Sequence, residues 1–132
     1  MNIATWAETY FRHRDIFERQ LVRIEREGKP SDAKLVLVRR DKVLQCRAVD
    51  KLTGDPLTLV KEDVLVTKNL RSNVEYLLKH WAVFAQREGL KIIFANTAKN
   101  EKWVLIPYNH NKLLEGGPAK GLWALFEGVP EG

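Results

Sequence analysis

Cysteine is almost absent from this chain, and Cys46 stands alone. That excludes a disulfide framework and any zinc site built from several thiolates. Histidine is scarce too: His13, His80 and His110 fall in separate segments without ligand spacing, so surface or capping roles are expected for them. The longest apolar runs reach only four or five residues, as in "WAVFA", too short to span a membrane. The opening "MNIATWAETYFRHR" places acidic and aromatic residues where a secretory leader carries its apolar stretch, so no signal peptide is expected. A reducing, cytoplasmic setting follows as the default.

What is present describes a soluble globular protein. The 132 residues are 45% hydrophobic and 30% charged, enough for one domain with one core and far from the composition of a disordered chain. Lys and Arg outnumber Asp and Glu by 22 to 17, a net charge of +5. A basic balance favours polyanionic partners such as nucleic acid, where phosphate neutralisation dominates binding.

Periodicity sets the expected order of elements. "TWAE" at Thr5 to Glu8 reads as a capping box, and Tyr10, Phe17, Leu21 and Ile24 follow as a helical stripe until Gly28-Lys29-Pro30 stops it. Two strands are expected over Leu35 to Val38 and Val43 to Val49, joined at Arg40-Asp41-Lys42. A third extended stretch runs from Leu57 to Thr67 after the turn signal Thr53-Gly54-Asp55-Pro56. "SNVE" at Ser72 opens a second helix, whose stripe of Val74, Leu77, Leu78, Trp81 and Ala85 ends at Gly89. Strands over Lys91 to Asn96 and Trp103 to Pro107 follow, then a short helix over Gly121 to Glu127 and a fraying "GVPEG". The order α-β-β-β-α-β-β-α predicts an α/β fold with a mixed sheet flanked by helices.

Alternation divides the central hairpin into two faces. Leu35, Leu37, Leu44, Cys46 and Ala48 make one apolar layer; Val43, Gln45, Arg47 and Val49 share the other face. A tight turn at Arg40 to Lys42 would pair Val36 with Arg47 and Val38 with Gln45. Asp32 would then lie four residues, roughly 13 Å, from the partner of Arg47.

Several short stretches together carry a family resemblance. Phe17-Glu18-Arg19-Gln20-Leu21 on the first helix, Pro30-Ser31-Asp32 entering the hairpin, Gln45-Cys46-Arg47 on its second strand and Ile106-Pro107-Tyr108 near the end follow one pattern. Over about residues 15–115 the chain resembles the PD-(D/E)xK nuclease superfamily, and within it the archaeal Holliday-junction resolvases. The resemblance implies a restriction-endonuclease-like mixed sheet, branched DNA as partner and a homodimer. It also implies a catalytic set at Glu18, Asp32, Gln45 and Arg47, with Asp32 and Glu18 as ligands of Mg²⁺ in an active enzyme.

Two of these positions depart from the nuclease pattern. Gln45 brings a neutral amide where the family has a carboxylate, and hard cations want anionic oxygen. Arg47 stands in place of lysine; it can hold a phosphate but keeps its proton at any ordinary pH. The expectation is therefore a DNA-binding protein without efficient cleavage and without a cofactor, gripping phosphate through Arg39, Arg40, Lys42 and Arg47. Further basic residues lie at Arg12, Arg14 and Arg19, at Lys34, and at Lys99 and Lys102. Two alternatives stay open: a Mg²⁺-dependent endonuclease using Glu18, Asp32 and Asp50, and an interaction module or inactive subunit that dimerises through aromatic helices. Ordinary polarity of a solvated strand also accounts for Gln45 and Arg47, and a solvated helix edge for Glu18.

Overall fold

The computed structural model describes residues 1–112 and 116–132. Helix α1 (Ile3–Glu18) leads into strands β1 (Leu21–Lys29), β2 (Asp32–Arg39) and β3 (Val43–Val49). A short helix α2 (Pro56–Leu59) precedes β4 (Val64–Lys68), and helices α3 (Arg71–Lys79) and α4 (Trp81–Ala85) connect it to β5 (Lys91–Asn96). Strand β6 (Glu101–Leu105) and helices α5 (Pro107–Lys112) and α6 (Ala119–Glu127) complete the described elements. The six strands form one sheet in sequential order. β1, β2 and β3 make an antiparallel meander, β3, β4 and β5 are parallel, and β6 returns antiparallel to β5. The mixed sheet flanked by helices is the α/β fold the sequence predicts.

Each face of the sheet has its own core. On one, Ile3, Ala4, Trp6 and Ala7 of α1 pack against Ala33, Leu35, Leu37, Cys46, Ala48, Val64, Val66, Ile93 and Ala95. This contains the apolar hairpin layer read from alternation. On the other, Val74 and Leu77 of α3, Phe84 of α4, and Leu122 and Phe126 of α6 cover Leu65, Ile92, Phe94, Trp103 and Leu105. Toward β1 this second face turns polar, with Glu25, Glu27 and Lys34 exposed.

The first helix ends earlier than its sequence suggests. Arg19 takes a left-handed conformation and donates its backbone N–H to the carbonyl of Asp15, while Asp15 Oδ1 accepts from the N–H groups of Gln20 and Leu21 at 2.8 Å each. One side chain thus satisfies the donors at the start of the next segment. Leu21 and Ile24 belong to β1, a strand the helical reading absorbed. The buried stripe of α1 sits near its start, and Phe17 is 91% exposed. The N-cap is Asn2, whose Oδ1 accepts from the N–H of Thr5 at 2.8 Å; Thr5 lies inside the helix. At the β1–β2 turn Gly28 has φ +105°, and a Cβ there would meet the Asp32 carbonyl oxygen at 2.7 Å, so only glycine fits.

Other boundaries move for local reasons. The expected third strand is α2, capped by Asp55 and opened by Pro56, followed by β4. The long second helix breaks at His80 into α3 and α4, and α3 starts at Arg71 without a side-chain cap from Ser72. β6 begins at Glu101, and Pro107 opens α5 instead of closing a strand. The C-terminal segment does not fray: the Asn69 side chain donates to the carbonyls of Val129 and Pro130, and the Gly132 N–H donates to the Asn69 carbonyl.

Candidate functional site

The hairpin closes tighter than expected. Arg39 N–H donates to the Lys42 carbonyl at 2.9 Å, and the register pairs Lys34 with Arg47, Val36 with Gln45 and Val38 with Val43. A two-residue shift leaves every side chain on its expected face. It also brings Asp32 within two residues of the partner of Arg47, half the expected separation. Arg47 spans Asp32 with two parallel bonds, Nε to Oδ1 and Nη2 to Oδ2, both 2.9 Å. The hydrogen bonds from Arg47 hold the Asp32 carboxyl below its usual range, and the arginine is raised in return.

Around this pair lies an open hollow of about 410 Å³ lined by Glu27, Gly28, Asp32, Lys34, Arg47 and Glu62. Gln45 takes part through its main chain. Its N–H donates to Asp63 Oδ2 and its carbonyl accepts from the Asp63 N–H, both at 2.8 Å, bracing β3 against the approach to β4. Glu62 also faces this hollow; it precedes a strand with no motif around it, so nothing local in the sequence marks it. Its Oε2 is buried without a hydrogen-bond partner among the described residues. Burial raises its pKa, with Lys34 and Arg47 pulling the other way.

The two carboxylates make opposite contributions to stability. Asp32, with its folded pKa lowered, stabilises above its unfolded pKa, and this is lost as pH falls through the folded value. Glu62, with its folded pKa raised, destabilises at neutral pH, and this is relieved as pH falls through the folded value toward the unfolded one. Glu62→Gln is expected to raise the urea midpoint at neutral pH, with the gain vanishing by about pH 4. A variant difference that is the same at both pH values would remove this account.

Glu18 lies on the other side of the sheet. Its Oε2 accepts from Arg39 Nη1 at 2.9 Å, and Arg14 approaches its other oxygen at 3.8 Å. Arg39 shares the α1-covered face with Leu35 and Leu37, while Asp32 and Arg47 share the opposite one. The sheet therefore separates Glu18 from Asp32. Asp50, at the exit of β3, has Lys68 Nζ 3.6 Å from its Oδ1 and donates its backbone N–H to the Ser31 carbonyl. Among the described residues no three His, Cys, Asp or Glu side chains gather as a metal ligand set. Mg²⁺ does not fit the Glu18 and Asp32 pair: they face opposite ways, and the guanidinium of Arg47 covers both oxygens of Asp32.

The hairpin tip and the end of α1 enclose a second, smaller hollow. It measures about 200 Å³ and is lined by Arg14, Arg39, Lys42 and Lys91 together with Asp15, Glu18 and apolar Leu37, Leu44 and Val64. The acids here are already engaged: Asp15 caps backbone N–H groups, and Glu18 holds Arg39. Arg39 also binds Asp41 at 2.9 Å. Among the described residues Arg40, Lys42 and Lys91 make no ion pair within 4.0 Å. Lys91 is half-buried; burial lowers its pKa, Arg14 and Lys42 lower it further, and Glu18 offsets part of this. Lys91 escaped sequence reasoning because it stands alone at a strand start, and only the fold sets it beside Lys42. Of the four expected phosphate contacts, Arg39, Arg40 and Lys42 gather at this end, while Arg47 is bound to Asp32 on the other face.

No helix among the described residues is long and apolar enough to cross a membrane. Comparison with family models, curated proteins and solved structures yields no match to this chain.

Proposed function

We propose that the chain binds the phosphate backbone of DNA, branched DNA included, at the hairpin tip and the adjoining hollow, and that it does so without metal-dependent cleavage. One observation carries this reading: Lys42 and Lys91 stand together with Arg14 and Arg39 in a hollow whose carboxylates are already committed. Burial, with Arg14 and Lys42 nearby, lowers the pKa of Lys91 and Glu18 offsets only part of this, so a phosphate oxygen entering the hollow would favour its charged form. Arg40, exposed at the tip, extends the same surface. The nuclease resemblance leads to the same partner; because Arg47 is held by Asp32 on the opposite face, Lys91 takes its place in this proposal.

Binding to labelled four-way and linear DNA, measured over a range of salt with and without chelator, tests this. The expected result is an affinity that falls linearly with log salt, is unchanged by chelator, and leaves intact DNA when Mg²⁺ is added. Cleavage that requires Mg²⁺ and is lost in Asp32→Ala would replace it with the endonuclease reading. No binding even at low salt would leave a protein-interaction role.

A further inference from the structure

Beside the phosphate hollow, a groove of about 750 Å³ runs between α1 and the turn into β6. We propose that it receives unpaired nucleobases, so that the preferred ligand is DNA with a single-stranded segment; this rests on the phosphate-binding reading above. Tyr10 forms its floor, backed by the buried Trp6, the two rings stacked with centroids 5.3 Å apart and planes within 6°. The floor is pinned, because Trp6 Nε1 donates to Asn100 Oδ1 at 2.9 Å and Arg14 donates to the Tyr10 hydroxyl at 3.1 Å. Phe17, 91% exposed, stands on the same lining, and His13 is exposed beside it.

Charge selects the occupant. Among the described residues the only carboxylate lining the groove is Glu18, already bound by Arg39, whereas Arg14 and Lys102 both line it and lie 5.8 and 5.3 Å from the Tyr10 centroid. An apolar peptide has no use for these cations, and an acidic one has none for the bare ring. A nucleotide uses both, stacking its base and neutralising its phosphate. Arg14 and Glu18 also line the phosphate hollow, so one strand could run from hollow to groove without a break. Duplex DNA keeps its bases stacked inward and would meet only the cations.

The test compares an oligothymidylate of about 12 nucleotides, within the site sizes of single-strand binders, with a blunt duplex of equal length. The full chain is expected to bind the single strand more tightly. Phe17→Ala is expected to weaken that binding about tenfold and leave duplex affinity and its salt slope unchanged. Phe17→Trp is expected to restore it, separating ring stacking from loss of apolar surface. Duplex binding that stays intact while Phe17→Ala has no effect on the single strand overturns this proposal alone. Loss of both ligands in Phe17→Ala overturns it as well. Absence of binding to either ligand by the unmodified chain removes the phosphate reading and this one together. A dimer in light scattering that Phe17→Ala converts to monomer, with no change in single-strand affinity, assigns the face to a second copy.

Discussion

Asn69→Ala is expected to lower the unfolding free energy by about 3 kcal/mol, the sum of several buried polar groups losing their partners. Asn69 is fully buried. Its Oδ1 accepts from Trp103 Nε1 at 2.7 Å, and its Nδ2 serves the carbonyls of Phe126, Val129 and Pro130 at 3.3, 2.9 and 3.3 Å. Alanine leaves a buried indole N–H without an acceptor and releases the carbonyls that dock the C-terminal segment on the sheet. For a chain of this length the loss corresponds to a melting temperature lower by about 10 °C. Thermal unfolding followed by circular dichroism measures it. Limited proteolysis should show new cleavage after α6 in the variant. A melt within a degree or two of the parent would mean that the docked segment contributes little to the fold.

The double charge reversal Lys42→Glu with Lys91→Glu is expected to weaken DNA binding at least a hundredfold at about 0.1 M salt and to make the salt dependence shallower by about two ion equivalents. Two phosphate contacts are lost, and two carboxylates take the place of the anion. Circular dichroism of the double variant checks that it folds, since a carboxylate at position 91 meets both Arg14 and Glu18. Arg47→Ala is the contrasting control. Its guanidinium is bound to Asp32 on the opposite face, so its loss should leave DNA affinity where it was. Equal losses in the control and the double variant would place the DNA across the hairpin's other face.

Much of the fold could be read from period-two alternation. Leu35, Leu37, Leu44, Cys46 and Ala48 alternate without exception, which fixes their face whatever the register. The register itself depends on where the two-residue turn falls, at Arg40-Asp41 or at Asp41-Lys42, and no glycine there decides. β1 was hidden because Leu21 and Ile24 continue a spacing that suits a helix, and the stop comes from the side chain of Asp15 reaching forward, a tertiary detail with no local signature. The candidate site divided along the same line. Asp32 and Arg47 meet because both lie on one hairpin, a relation that sequence can convey. Glu18 is parted from them by the side of the sheet on which α1 packs, which sequence spacing does not encode. Lys91 and Glu62 acquire their neighbours only when distant strands come together.

β1 ends the sheet with a row of backbone donors and acceptors facing outward, the kind of edge along which chains add to one another. Arg23, Glu25, Arg26, Glu27 and Lys29 put charge on five of its nine residues, and the pairing with β2 shifts register between Leu21 and Arg23. An added strand would have to match Glu25, Glu27 and Lys29 on one face and Arg26 on the other while following an uneven ladder, a combination that opposes sheet-to-sheet growth. The protein should therefore resist edge-to-edge growth at the concentrations that binding experiments require.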